Sequence, residues 1–99
     1  MERRELTVLA RFKAKEGKET DVLRAITSLI APTKAEEGCI NYDLHRAQND
    51  PGLFVLYETW RNRQDLDSHL ATPYLQAFLE QAPELLAEPV DISFWDMLA

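Results

Sequence analysis

Across residues 5–14 the apolar side chains Leu6, Val8, Ala10 and Phe12 recur at every second position, and Thr7, Arg11 and Lys13 fall between them. A period of two puts the two sets on opposite faces of a strand. Leu9 falls among the polar set, so the second face is not fully wet. Lys15-Glu16-Gly17-Lys18 breaks the alternation, and from Glu19 the period becomes helical. Val22, Ile26, Leu29 and Ile30 stand at i, i+4, i+7 and i+8, with Leu23 on the flank. Pro32 has no N–H and crowds the carbonyl four residues back. The helix is therefore expected either to kink there or to restart at Thr33, with Glu36 as a capping-box partner. Gly38 reads as a left-handed C-terminal cap.

Residues 39–47 and 53–61 read as a hairpin joined by Gln48-Asn49-Asp50-Pro51-Gly52, where Pro fixes φ and Gly accepts positive φ. Asn62 caps the next helix, with Asp65 in its first turn and His69 beside the apolar edge of Leu66 and Leu70. Thr72-Pro73 is a second helix start, whose buried side is Tyr74, Leu75, Phe78, Leu79 and Ala82. Pro83 and Pro89 bracket a connector. Val90, Ile92 and Phe94 then alternate with Asp91 and Ser93 in a last strand that takes in Trp95 and Met97. The order β-α-β-β-α-β predicts a single α+β domain over residues 1–99. Its expected form is a ferredoxin-like sandwich, a four-stranded antiparallel sheet with helices on one face. The other face carries Leu9, Trp95 and Met97 with no helix over them, and a partly apolar bare face predicts a homodimer packed sheet to sheet.

Two hairpin registers are open. One sets Asp43 opposite Glu58 and Asn41 opposite Trp60. The other, one residue away, gathers Ile40, Tyr42 and Leu44 on the face of Phe54, Leu56, Glu58 and Trp60. The second groups apolar with apolar and avoids a like-charge pair, so it is preferred. Glu58 then stands in an apolar row near Tyr42, where a carboxylate is costly unless paired. Its candidate partners are the Tyr42 hydroxyl and His69. The plainer alternative is a structural polar cluster tying helix to sheet.

Composition narrows the partners. Seventeen acidic against eleven basic residues give a formal charge of −6, which disfavours nucleic acid and anionic membrane surfaces. No apolar run approaches the length of a bilayer span. The charged start Met1-Glu2-Arg3-Arg4-Glu5 is followed only by a short strand and does not read as a signal peptide. One cysteine, Cys39, forms no internal disulfide, and a cytoplasmic location is expected. Cys39 is expected to pack as a small apolar residue, His45 to face solvent or an interface, and Arg11 to serve an interface ion pair. Two histidines without clustered carboxylates make a poor metal site, and no phosphate-cradling Gly loop or Cys-x-x-Cys pair is present.

Three stretches carry a family resemblance: 36–42 (Glu-Glu-Gly-Cys-Ile-Asn-Tyr), 54–60 (Phe-Val-Leu-Tyr-Glu-Thr-Trp) and 69–74 (His-Leu-Ala-Thr-Pro-Tyr). With these Gly-Cys-x-x-Tyr, Glu-x-Trp and His-x-x-Thr-Pro elements in order, the chain resembles the antibiotic biosynthesis monooxygenases, which are cofactor-free dimeric α+β barrels. Similar members include monooxygenases of reduced naphthoquinones, anthrone oxygenases and an isomerase of a phosphorylated signal. The resemblance implies a dimer of facing sheets and pocket positions at Tyr42, Glu58, Trp60 and His69. It also implies an aromatic small molecule and O2 as substrates, with no cofactor. A haem-degrading branch shares the fold, but Ala10, His69 and the apolar stretch around Phe78 stand where its functional residues would, so haem is not expected.

An electron-rich phenol or quinol reacts with oxygen more readily once deprotonated, which requires a base, a donor to the anion and an apolar cavity. His69 is the expected base, and Glu58 is expected to orient its imidazole and fix the tautomer. Tyr42 or Tyr74 would donate to the oxyanion, and Trp60 and Phe78 would stack on the substrate ring. The same groups suit proton transfer in an isomerase of a small phosphorylated carbonyl compound. A non-catalytic dimeric binding or stress-associated module, with His69 as a helix–sheet hydrogen-bond partner, is the third reading.

Overall fold

The computed structural model describes residues 5–99, so the charged start at 1–4 lies outside the described residues. The elements run β1 (Leu6–Lys13), α1 (Glu19–Lys34), β2 (Cys39–Arg46), β3 (Leu53–Trp60), α2 (Arg63–Leu70), α3 (Pro73–Leu85) and β4 (Asp91–Trp95). The strands form one antiparallel sheet in the order β2-β3-β1-β4, the α+β ferredoxin-like arrangement that the alternating periods predict. Val8, Ala10 and Phe12 of β1 and Phe54, Leu56 and Trp60 of β3 are buried beneath the helices. Val22, Ile26 and Leu29 of α1 pack onto them, each contributing roughly 1.5–3 kcal/mol by leaving water. On the other face Leu9 and Tyr57 are half-buried and Trp95 is 54% exposed, with no helix of the described residues over them.

The preferred hairpin register is the observed one from Asn41 onward: Tyr42 pairs with Glu58, Asp43 with Tyr57 and Leu44 with Leu56. It fails at Ile40. Cys39 pairs with Trp60 and Asn41 with Thr59, so Ile40 is the extra residue of a bulge and is exposed instead of joining the inner face. The connecting turn closes through Asp50, whose Oδ1 accepts from the Gly52 N–H at 2.9 Å; Gly52 does not use positive φ.

At Pro32 the expected restart of the helix does not occur. Helix α1 runs through Pro32 to Lys34 without restarting at Thr33, because a proline this near the C-terminus forfeits a single bond. Glu36 is not a capping-box residue. Nor is Gly38 the left-handed cap: among the described residues only Gly17 has positive φ, +85°, in the turn closed by the Lys18 N–H to Lys15 carbonyl bond of 2.9 Å. Helix α3 likewise continues through Pro83 to Leu85, and β4 ends at Trp95, before Met97.

Gly38 is needed for space. A Cβ there would lie 2.3–2.4 Å from the Asp65 side chain. That side chain is fixed by Arg61 Nε at 2.7 Å, and the Asp65 N–H is held by the Asn62 cap at 2.8 Å. Gly38→Ala is therefore expected to cost about 2 kcal/mol through overpacking at the start of α2, lowering the melting temperature by roughly 10 °C. Thermal denaturation followed by circular dichroism checks it, and an unchanged melting temperature contradicts the packing argument.

Candidate active site

An apolar cavity lies between the helices and the sheet. Val8, Ala10 and Leu56 form its floor, Leu66, Leu75 and Phe78 its roof, and Leu79, Ile92 and Phe94 its β4 side. Its volume is about 70 Å³, room for about five water-sized spheres. Three polar side chains reach it, Tyr42, Glu58 and His69, and among the described residues no Lys or Arg lines it. At the β4 side the Arg63 guanidinium stacks over the Phe94 ring at 5.0 Å and also bonds Asp67 at 3.1 Å.

His69 owes its position to α2. The Asn62 cap starts this helix one turn after β3 ends, and Leu66 and His69, three residues apart, face inward together. The imidazole is 2% exposed. It lies against the Trp60 indole, with centroids 4.6 Å apart and planes tilted by 32°, and meets the edge of Tyr42 at 5.5 Å. Its Nδ1 is 2.8 Å from Oε2 of Glu36, in the α1–β2 connector. The same Glu36 oxygen accepts from the Tyr74 hydroxyl at the start of α3. No hydrogen bond among the described residues engages Nε2.

Glu58 is therefore not the residue that orients His69. Its Oε1 accepts from Nε1 of Trp60, two residues on along the same face of β3, at 2.9 Å. Burial raises the Glu58 carboxyl to about 7, partly countered by the Trp60 N–H, with the Glu36 charge adding to the rise. Glu58 and His69 nonetheless meet on one side of the sheet and share Trp60, which holds one through its N–H and the other through its ring.

The remaining predicted residues divide. Tyr42 and Phe78 line the cavity; Trp60 and Tyr74 do not. Trp60 is covered by His69 and fully buried, so it does not present a ring to a ligand. The Tyr74 hydroxyl is committed to Glu36 and is pushed up to about 12, first by burial and then by that bond. Burial, with Glu58 next, pushes the Tyr42 phenol well above its ordinary range. Cys39 is raised to about 11, mainly by burial, which leaves it a thiol and a poor nucleophile. His45 is exposed, and Arg11 pairs with Glu88 at 2.8 Å on the surface. Among the described residues no cluster of three metal-ligating side chains occurs, and no helix is long and apolar enough to cross a membrane.

Glu36 is the residue that sequence reasoning missed. It lies 33 positions before His69, and local spacing carries no signal for a pairing made by the fold. The nearest hint was a carboxylate placed just before the hairpin strand that leads to Tyr42.

Comparison with known proteins places this arrangement. The profile of the antibiotic biosynthesis monooxygenase family matches residues 6–81. A Mycobacterium tuberculosis protein, Rv0793, named provisionally as a monooxygenase, is 35% identical over 88 residues, covering 89% of this chain and 86% of that protein. An uncharacterised Synechocystis protein, sll1783, is 34% identical over 90 residues, but this chain spans 61% of its length. The crystal structure of PA3566 from Pseudomonas aeruginosa superposes with a TM-score of 0.92 at 34% identity, over 97% of this chain and 96% of that one.

Proposed function

This chain belongs to the antibiotic biosynthesis monooxygenase family, and from that premise we propose that it is a cofactor-independent monooxygenase that oxidises quinol-like aromatic molecules with O2. The observation that carries the reading is the cavity itself. It is apolar, and its polar contacts are an imidazole with a free nitrogen, a carboxyl held near 7 and a buried phenol.

His69 Nε2 takes a hydroxyl proton from the quinol, and the electron-rich anion passes its electrons to O2. A C–O bond forms at a ring carbon, the O–O bond breaks, and the second oxygen leaves as water. For a hydroquinone the sum is quinol plus O2 giving hydroxyquinone plus water. Four electrons leave the substrate and four arrive on O2, so no other reductant enters. A protonated Glu58 supplies a proton to the leaving oxygen, and the Tyr42 hydroxyl donates to the substrate anion. Phe78 provides the aromatic contact in the roof.

Size and charge support this choice within the family. The enclosed volume of about 70 Å³ is less than half the roughly 150 Å³ of an apolar cavity that takes one benzene ring, so a ring substrate must extend to the side where Leu79 and Phe94 are exposed. So small an enclosed space favours two-ring quinols over three-ring anthrones. A phosphorylated substrate would need a cation in the lining, and none of the lining residues is Lys or Arg. The bare sheet face with Leu9, Tyr57 and Trp95 supports a second copy of the chain as its cover, and the acidic charge with a single cysteine supports a cytoplasmic setting.

The test is oxygen consumption by the purified protein with a panel of reduced naphthoquinones, using isotopically heavy O2. The expected result is uptake above the buffer rate, with one labelled oxygen in the product ring. Uptake equal to buffer, with no label incorporated, overturns the oxygenase reading and leaves a binding module.

A further inference from the structure

His69 lines the cavity, and its Nδ1 is tied to Glu36. That tie is an arrangement of three segments. The α1–β2 connector brings the Glu36 carboxylate, α2 brings Nδ1 of His69 at 2.8 Å, and α3 brings the Tyr74 hydroxyl to the same carboxylate oxygen. The carboxylate is 18% exposed, against 2% for the imidazole. We propose that Glu36, anchored by Tyr74, is the positioning residue of this site. It holds His69 in the Nδ1–H tautomer, so that the Nε2 lone pair faces the cavity, and it balances the charge the imidazole gains with the substrate proton.

The other charged side chains nearby are engaged elsewhere. Glu58, the other carboxylate near the ring, is committed to Trp60 Nε1. Lys34, at the end of α1, faces Asp43 at 3.7 Å. An imidazole donates through one nitrogen only when neutral, so the nitrogen bonded to a carboxylate carries the proton and the other is left as acceptor. A base buried to this degree also gains a charge during turnover that solvent reaches poorly, and a hydrogen-bonded carboxylate compensates it where water cannot. Glu36 does not line the cavity and acts only through His69.

The inference rests on the oxygenase reading for its kinetic part and on the imidazole alone for its structural part. Nitrogen NMR of the histidine-labelled full chain separates the two, since only His45 and His69 contribute signals and exposed His45 is an internal control. Wild type is expected to show His69 as the Nδ1–H tautomer. Glu36→Ala is expected to lose that preference, with His45 unchanged. Glu36→Gln keeps an acceptor oxygen without the charge. It is expected to retain the tautomer while kcat for oxygen uptake falls by about tenfold or more at unchanged KM, and Tyr74→Phe is expected to show a smaller fall. A folded Glu36→Ala protein with an unaltered His69 tautomer overturns the proposal, as does full kcat in Glu36→Gln. Should Glu36→Ala not fold, Glu36→Gln decides. A wild type without oxygen uptake whose tautomer still depends on Glu36 overturns the oxygenase function while supporting the placement of His69.

Discussion

A His69→Gln protein is expected to consume oxygen with reduced naphthoquinones at least about 100-fold more slowly than wild type, the ordinary loss when a general base is removed. The amide approximates the length of the imidazole and retains a donor toward Glu36, but it accepts no proton at neutral pH. The loss is expected in kcat, because the apolar walls that bind the ring stay in place: Val8, Leu56 and Phe78 do not touch the substituted atom's chemistry. A melting temperature measured alongside separates a missing base from a collapsed cavity, since His69 packs on both Trp60 and Tyr42. Undiminished turnover in a folded His69→Gln protein would remove the base from the mechanism.

The second large effect is on stability and comes from Glu58. Its carboxyl is at about 7 in the folded chain, against an ordinary value of 4.5. Between those two pH values the folded state holds a proton that the unfolded state has released. Stability therefore falls as pH rises from about 4.5 to about 7 and is level above that, the sign opposite to that of a salt-bridged carboxylate. The shift corresponds to about 3 kcal/mol across the window. Glu58→Gln is expected to remove this slope, gaining on wild type at pH 8 relative to pH 5. Urea denaturation of both proteins at the two pH values measures the difference, in which the other acidic groups cancel. Parallel pH dependence in the two proteins would contradict a buried, proton-retaining Glu58. A carboxyl of this kind is what the proposed proton delivery needs.

The fold was legible because the chain changes its hydrophobic period cleanly, from two to about 3.6 and back, and because Asn62 and Thr72-Pro73 announce their helices with side chains that act locally. Register was legible from Asn41 onward for the same reason: like charges and stranded apolar residues penalise the wrong pairing. Ile40 departs from that register, since a bulge relieves the requirement that every second residue face inward. The candidate site was half legible. His69, Glu58 and Tyr42 converge because they stand on inner-face positions of α2, β3 and β2, which periodicity reveals. Which carboxylate holds the imidazole was not legible, because the choice between Glu36 and Glu58 depends on how the α1–β2 connector folds back over α2. Trp60 was read as a ligand contact for its ring, whereas the structure uses its N–H on Glu58 and its face on His69.

That double use of Trp60 has an optical consequence. The chain has two tryptophans, one without solvent contact and touching both Glu58 and His69, the other, Trp95, on the far side of the sheet and 54% exposed. With Trp95 changed to Phe, all remaining indole fluorescence reports from a buried ring against the imidazole at the cavity. The protonation of that neighbourhood and the arrival of a flat ligand then become readable as quenching, in a singly substituted chain and without an attached dye.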